Sequence, residues 1–180
     1  MNRQCHPITT RVARLIWWGL ALLAFACLAG GCGGSDSSGP GSTEPVGRLV
    51  DMVGCKGAMV SVAGDVPRDQ DCIEYSYSHR TLNLKHINAA FNCCPEMEAY
   101  VIVSQDTIFM TEHETVGGCH CLCLYDLEYE VIHLPAATYR VIVSQEYLLE
   151  GDQPLEFTID LRASPSGNHC VTRSHYPWTE

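Results

Sequence analysis

Apolar and polar residues alternate with a period of two along most of the chain after residue 45. The alternation is clearest from Leu155 to Leu161, where every second residue is a large apolar one. A period of two is typical of β-strands that bury one face. It predicts strands at Leu49–Val53, Cys72–Tyr77, Thr81–Ile87, Met97–Val103, Thr107–Thr111, Cys121–Ile132, Tyr139–Tyr147 and Leu155–Leu161. Seven or eight short strands without a convincing helical run favour an all-β fold, an antiparallel β-sandwich.

Turn residues separate the predicted strands. Gly54–Asp71 is rich in glycine and aspartate and reads mainly as a loop around a short apolar run, Met59–Val62. We expect a turn near Ser78-His79 and a hairpin turn at Gln105-Asp106, each joining two neighbouring strands. The strands therefore follow one another closely along the chain.

The first residues differ from this pattern and indicate export. Arg3, Arg11 and Arg14 precede an uncharged apolar run over residues 15–28. A membrane-spanning helix needs about 20 apolar residues, so this shorter run fits the hydrophobic region of a secretory signal. We therefore expect residues 1–31 to form a signal peptide.

The end of that run, Leu28-Ala29-Gly30-Gly31-Cys32, resembles the lipobox of bacterial lipoproteins. The resemblance implies cleavage before Cys32, a diacylglyceryl group on its sulphur, and acyl chains such as palmitate that anchor the protein in a membrane. Cys27, which follows Ala24-Phe25-Ala26, is the second candidate for the lipidated residue. Gly33 stands where many lipoproteins retained in the inner membrane carry aspartate, which favours the outer membrane of the bacterial cell envelope.

A Gly/Ser-rich segment separates this anchor from the predicted sandwich. Residues 33–45 contain no side chain able to enter a core, so residues 32–45 are expected to be a lipidated cysteine with a flexible tether. Residues 46–180 then form the β-sandwich domain.

The charge of the chain narrows the range of partners. The whole chain carries a net charge of −10, and loss of the three leader arginines leaves 8 basic and 21 acidic residues, a net charge of −13. Such a surface repels phosphate backbones, so we expect no nucleic-acid partner. The membrane, reached through the lipid, is the expected contact, and a protein or glycan ligand is left open.

Cysteines dominate the candidate chemistry of the predicted domain, which has eight of them. Export to an oxidising compartment favours disulfide bonds. Cys93 and Cys94 are too close to pair with each other. In a regular strand Cys119, Cys121 and Cys123 share one face, about 6.6–6.8 Å apart, too far for a mutual bridge.

We therefore expect Cys93 and Cys94 to bond two members of the triple. In this arrangement Cys55 would bond Cys72, and Cys170 would bond the remaining cysteine.

The alternative is a soft-metal site for zinc or copper, built from the same cluster of Cys93, Cys94, Cys119, Cys121 and Cys123. Nearby histidines widen that donor set. His120 would point away from the cysteines in a regular strand, and His86 shares a face with Leu82 and Leu84 as a core histidine would. The third histidine that could serve as a donor is His113, within Glu112-His113-Glu114.

The sequence contains two further resemblances, one to a fold family and one to a group of proteins. Leu134-Pro135-Ala136-Ala137-Thr138-Tyr139-Arg140-Val141 resembles the tyrosine corner of immunoglobulin-like and fibronectin type III-like domains, which implies that the Tyr139 hydroxyl caps a crossover between sheets. Asn92-Cys93-Cys94-Pro95 together with Cys121-x-Cys123-Leu124-Tyr125-Asp126 resembles a group of uncharacterised bacterial secreted or lipid-anchored proteins, which implies no activity.

No catalytic motif stands out in the sequence. Nucleophile-elbow, P-loop, Rossmann and EF-hand patterns are missing, and Glu112-His113-Glu114 lacks the second histidine of a metalloprotease helix. We therefore expect a non-enzymatic structural or binding module in the cell envelope.

Overall fold

The structure is a computed structural model that describes residues 43–56, 66–116 and 118–179. These residues form β-strands and no helix. The strands are β1 (Val46–Lys56), β2 (Gln70–Ser78), β3 (Thr81–Asn92), β4 (Glu96–Ser104), β5 (Thr107–Val116), β6 (Leu122–Ile132), β7 (Thr138–Ser144), β8 (Glu156–Asp160) and β9 (Ser166–Thr172). Among these residues no helix is long and apolar enough to cross a membrane. The expected signal peptide, Cys27, Cys32 and Met59–Val62 lie outside the described residues.

The strands form two sheets, which confirms the all-β, sandwich-like prediction. One sheet has five strands in the order β1-β6-β3-β2-β9, and the other has four in the order β4-β5-β7-β8. All pairs are antiparallel except β5 and β7, which run parallel. The expectation of a purely antiparallel sandwich is wrong at this point. The chain crosses to the five-stranded sheet through β6 and then returns beside β5 in the same direction.

The core lies between the inward faces of the two sheets. In β6, Tyr125, Leu127, Tyr129 and Val131 are buried, as the alternation predicts. Opposite them, the other sheet contributes the buried side chains Val101, Ile108, Met110, Tyr139, Val141, Val143 and Ile159. Full burial of each large apolar side chain contributes about 1.5–3 kcal/mol, so the alternating pattern supplies the main stabilisation of the fold.

Tight turns join neighbouring strands much as the sequence predicts. Ser104 pairs with Thr107, so Gln105-Asp106 is a two-residue hairpin turn. Ser78 pairs with Thr81, which places the earlier turn at His79-Arg80, one residue later than predicted. His79 and Arg80 have φ values of 50° and 63°, as the twist of a two-residue hairpin requires.

The last strand and the tail were not predicted from the alternation. β9 reads Ser-Gly-Asn-His-Cys-Val-Thr and buries only Val171 fully, so it has no clear period. It adds to the edge of β2 through a ladder in which Cys72 faces Cys170. Beyond it, Trp178 is 1% exposed and packs on Ala90 and Leu124, which fixes the C-terminal segment to the five-stranded sheet.

Candidate functional site

All eight cysteines of the described residues form disulfide bonds. The bonds are Cys55–Cys123, Cys72–Cys170, Cys93–Cys121 and Cys94–Cys119. Six of these cysteines, which we call the cysteine cluster, lie where β1 and β3 end and β6 begins: Cys55, Cys93, Cys94, Cys119, Cys121 and Cys123. The cluster thus connects three neighbouring strands of the five-stranded sheet.

The pairing agrees with the expectation in one part and departs from it in another. Cys93 and Cys94 each bond one member of the triple. The expected bridge between Cys55 and Cys72 is wrong, because Cys72 lies opposite Cys170 in the ladder between β2 and β9, with Cα atoms 4.1 Å apart. Cys55 instead bonds Cys123, since β1 lies beside β6.

The three cysteines of Cys119-His120-Cys121-Leu122-Cys123 do not share one strand face. β6 begins at Leu122, so Cys119 and Cys121 lie in the turn before the strand and only Cys123 belongs to it. The Asn92 amide oxygen accepts hydrogen bonds from the backbone N–H groups of Cys94 (3.3 Å) and Cys119 (3.1 Å). Its Nδ2 donates to the Cys119 carbonyl at 2.6 Å. Asn92 therefore holds the two cysteine-bearing segments together without help from sulphur.

Sulphur atoms of different bridges are in contact. Sγ of Cys93 lies 3.2 Å from Sγ of Cys123, to which it is not bonded. The Sγ atoms of Cys55, Cys93 and Cys123 all lie within 4.8 Å of one another. Thiolate, not disulfide, is the metal ligand, so zinc or copper binding at this cluster needs reduction first and stays a prediction. His120 and His113 are exposed.

A second group of residues, which we call the buried charge cluster, lies between the two sheets. It consists of Asp71 of β2, His86 of β3, Glu112 of β5 and Arg173 just beyond β9, which are 0–3% exposed. His86 Nε2 lies 2.7 Å from Asp71 Oδ1, and His86 Nδ1 lies 2.8 and 2.9 Å from the two oxygens of Glu112. Arg173 donates to Asp71 Oδ2 through Nε (2.9 Å) and a terminal nitrogen (2.7 Å). Two cations thus balance two carboxylates, across both sheets.

The surroundings of His86 fix its protonation state. Both ring nitrogens face carboxylate oxygens, so both donate and the ring is an imidazolium. Burial acts to lower the pKa of His86, but the charges of Glu112 and Asp71 outweigh it and raise that pKa to about 10. Burial acts to raise the pKa of Asp71, but His86, Gln145 and Arg173 hold it below its usual range.

Two neighbouring side chains complete the hydrogen bonds of the buried charge cluster. Tyr129 donates its hydroxyl to Glu112 at 2.7 Å, and Gln145 donates to Asp71 at 2.8 Å. Burial, together with the adjacent Glu112, raises the pKa of Tyr129. With His86 and Asp71 fully buried, the cluster is a structural ion network. His86 is a satisfied core histidine, as its position beside Leu82 and Leu84 predicts.

The Glu112-His113-Glu114 segment splits between two environments. Glu112 and Glu114 point inward from β5, whereas His113 points outward and lies 3.4 Å from Glu146. Glu114 accepts the Tyr147 hydroxyl at 2.9 Å and the backbone N–H of Asn92. Burial and the hydrogen bond to Glu114 raise the pKa of Tyr147 to about 12. Glu112 and Glu114 therefore lie on the opposite strand face from His113, the histidine of their own segment.

Asn88 is a connecting residue that sequence reasoning missed. It is 2% exposed, has a φ of 64° and interrupts the ladder of β3 with β6. Its Nδ2 donates to the carbonyls of Pro67 (3.0 Å) and Gln70 (2.7 Å), its Oδ1 accepts Lys56 Nζ at 3.0 Å, and its carbonyl accepts Trp178 Nε1 at 2.8 Å. Asparagine tolerates the left-handed conformation well. An asparagine directly after the predicted strand Thr81–Ile87 was the available signal.

The outward face of the four-stranded sheet exposes a row of apolar side chains. Ile102 of β4, Phe109 of β5 and Ile142 of β7 are direct cross-strand neighbours. Ile102 is 55% exposed, Phe109 is 40% exposed and Tyr100 beside them is 44% exposed, whereas Ile142 is half-buried. Contiguous exposed apolar surface marks interaction sites in soluble domains. We call these four residues the apolar row.

Comparison of the chain with family models, with curated proteins and with solved structures returned no match. The function must therefore be argued from the residues described above.

Replacing His86 by glutamine should destabilise the fold by about 3–5 kcal/mol, because it leaves two buried carboxylates with one cation.

The wild-type free energy of unfolding should also fall as pH rises. The unfolded imidazole titrates near 6.5 and the folded one near 10, so this stabilisation is complete below pH 6.5 and is lost as pH rises through 10. Urea unfolding of the full chain between pH 6 and 10 measures both effects.

The matched control is His113→Gln, which changes an exposed histidine on the outward face of β5. It should unfold within about 0.5 kcal/mol of the wild type. Equal unfolding free energies for His86→Gln and His113→Gln would show that the buried charge cluster does not stabilise the fold.

Proposed function

We propose that this protein is a lipid-anchored, non-enzymatic component of the bacterial cell envelope, with a disulfide-stabilised sandwich that binds a protein partner. The apolar row carries the proposal. Ile102, Phe109 and Ile142 form a continuous line across three strands, on the face turned away from the core. A monomeric domain gains nothing from exposing such a line to water.

The chemistry of the row favours a protein over a glycan as the partner. Ile102 and Ile142 offer aliphatic surface and no hydrogen bonds to sugar hydroxyls. Isoleucine, phenylalanine and tyrosine together resemble the apolar centre of a protein–protein interface. Since the chain without its leader carries a net charge of −13, a partner with basic groups around its own apolar patch fits best.

The interior of the sandwich suits a rigid binding surface. Four disulfides and the buried charge cluster tie the strands together. A surface that is rigid before binding loses less conformational entropy when the partner docks.

Anchoring through Cys32 is the second part of the proposal and rests on the sequence. Several acyl chains, at about 0.8 kcal/mol per buried CH₂, hold a protein stably in a bilayer. The Gly/Ser-rich residues 33–45 would give the domain a reach on the order of 20 Å from the lipid surface. Gly33 favours the outer membrane as its location.

We also propose an immunoglobulin-like character for the sandwich, which the tyrosine corner supports. The Tyr139 hydroxyl donates to the Pro135 carbonyl at 2.9 Å, four residues upstream and just before β7. The same geometry stabilises that corner in immunoglobulin-like domains. The parallel pair of β5 and β7 is a departure from the seven-stranded constant-type arrangement.

If Cys32 carries the lipid, its replacement should abolish fatty-acid labelling and membrane anchoring. In cells given a labelled fatty acid, Cys32→Ser should abolish both labelling and recovery in the membrane fraction, because the variant lacks the sulphur that takes the lipid. Cys27→Ser is the matched control and should retain both. Loss in Cys27→Ser with retention in Cys32→Ser would assign the anchor to Cys27, and retention in both variants would contradict the lipoprotein proposal.

Binding through the apolar row predicts site-specific cross-linking. A photo-reactive phenylalanine analogue in place of Phe109 should give a discrete protein adduct in the membrane fraction. The same probe in place of Glu74, an exposed residue of the other sheet, should not. Ile102→Ser should remove the Phe109 adduct and leave the unfolding free energy within about 0.5 kcal/mol of the wild type.

Two outcomes would contradict this binding proposal. One is the same adduct pattern from both probe positions, or adducts that persist in Ile102→Ser. The other is an adduct with twice the mass of the chain, which would show that the row binds a second copy instead.

A further inference from the structure

Two disulfides of the cysteine cluster form an array of four sulphur atoms with exposed ends. Cys55 and Cys121 are exposed, Cys93 is half-buried and Cys123 is buried. Covalent bonds join Cys55 to Cys123 and Cys93 to Cys121. The two inner atoms, Sγ of Cys123 and Sγ of Cys93, are 3.2 Å apart. We call these four residues the sulphur array.

We propose that the sulphur array is a thiol–disulfide exchange site that accepts two electrons from an external dithiol and leaves Cys55 and Cys121 as its thiols. A disulfide exchanges when a thiolate attacks one of its sulphurs. In this array, a thiolate released at either inner position already lies against a sulphur of the other bridge. Reduction that enters at one exposed end is therefore passed to the other end. This proposal does not depend on the proposed function.

The exchange balances in three steps. A thiolate of the dithiol attacks Sγ of Cys55, forms a mixed disulfide and releases the thiolate of Cys123. That thiolate attacks Sγ of Cys93, forms a Cys93–Cys123 bond and releases the thiolate of Cys121, which takes up a proton. The second thiol of the dithiol then attacks the dithiol's first sulphur, which is bonded to Cys55 in the mixed disulfide. This step forms the internal disulfide of the oxidised dithiol and releases Cys55 as a thiol. The dithiol loses two electrons and two protons, and the array gains them.

Entry at the other end gives the same product. A thiolate that attacks Sγ of Cys121 releases Cys93, which attacks Sγ of Cys123 and releases Cys55. Because the inner pair is common to both routes, the reduced array should hold one new bridge, Cys93–Cys123.

The backbone around the array is suited to this exchange. Cys55 has a φ of 32° and interrupts the ladder between β1 and β6. That conformation is unfavourable for L-residues other than asparagine and aspartate, so Cys55 lies at an irregular point of β1. Cys93 and Cys121 lie just beyond β3 and just before β6, outside the strands. Their side chains can therefore change partners without breaking a strand.

Partial reduction of the purified full-length protein tests the proposal. Dithiothreitol is titrated until the array carries two alkylatable thiols, exchange is stopped with acid, and free thiols are labelled. We expect the two labels on Cys55 and Cys121, loss of the Cys93–Cys121 cross-link and appearance of a Cys93–Cys123 cross-link. Two labels on both partners of an original bridge, Cys55 with Cys123 or Cys93 with Cys121, would overturn it.

The mapping needs a suitable protease. No lysine or arginine lies between Lys85 and Arg140, so trypsin leaves five of the six cluster cysteines on one peptide. Cleavage after acidic residues such as Glu98 and Glu114 separates Cys93 from Cys121 and Cys123. Fragment ions then distinguish Cys121 from Cys123.

Two matched variants give a test without any reductant. Cys55→Ser should contain a Cys93–Cys123 bridge and a free thiol at Cys121, and Cys121→Ser should contain the same bridge and a free thiol at Cys55. A free thiol at Cys123 in the first variant and at Cys93 in the second would overturn the proposal. The partial reduction of the wild type decides the question if either variant does not fold.

Discussion

A charge balance between buried side chains holds the two sheets of this fold together. His86 of the five-stranded sheet donates to Glu112 of the four-stranded sheet, and through its other nitrogen to Asp71. Arg173 then binds Asp71 from the segment beyond β9. A buried charge is costly unless it is paired, and removing one member of a complete network leaves another member buried without a partner. The two sheets and the C-terminal segment are therefore held in one relative position, in which every member of the network has its partner.

The cysteine cluster and Asn88 perform a related task at one end of the five-stranded sheet. There β1, β3 and β6 are joined by disulfides, while Asn88 binds the turn before β2, Lys56 of β1 and the tail tryptophan. Asn92 connects the two cysteine-bearing segments through its side-chain amide. The apolar row lies on the outward face of the other sheet, built on strands whose inward faces enter the core and the charge cluster. Stiffness inside the molecule thus supports the exposed surface on which we propose that a partner binds.

Much of the fold could be predicted from the alternation, because most strands bury one face in the core between the two sheets. β9 could not, since its contribution is a ladder at the edge of β2 and a bridge from Cys170, and neither leaves a period in the sequence. The predicted bridge between Cys72 and Cys55 was wrong for the same reason. The true partner of Cys72, Cys170, lies on β9, which the alternation does not predict. The burial of His86 was visible from its position beside Leu82 and Leu84. The rest of the buried charge cluster was not, because Asp71, Glu112 and Arg173 come from distant segments and only the folded topology brings them together.

The interior network depends on the charge state of His86, which nuclear magnetic resonance of the ¹⁵N-labelled histidine rings measures directly. Both ring nitrogens of His86 should carry protons at pH 8, and the ring should titrate only near pH 10. The exposed His113 and His120 provide internal references in the same spectrum. A His86 ring that loses a proton near pH 6.5, with one bare nitrogen at pH 8, would show that the buried network does not hold His86 as an imidazolium.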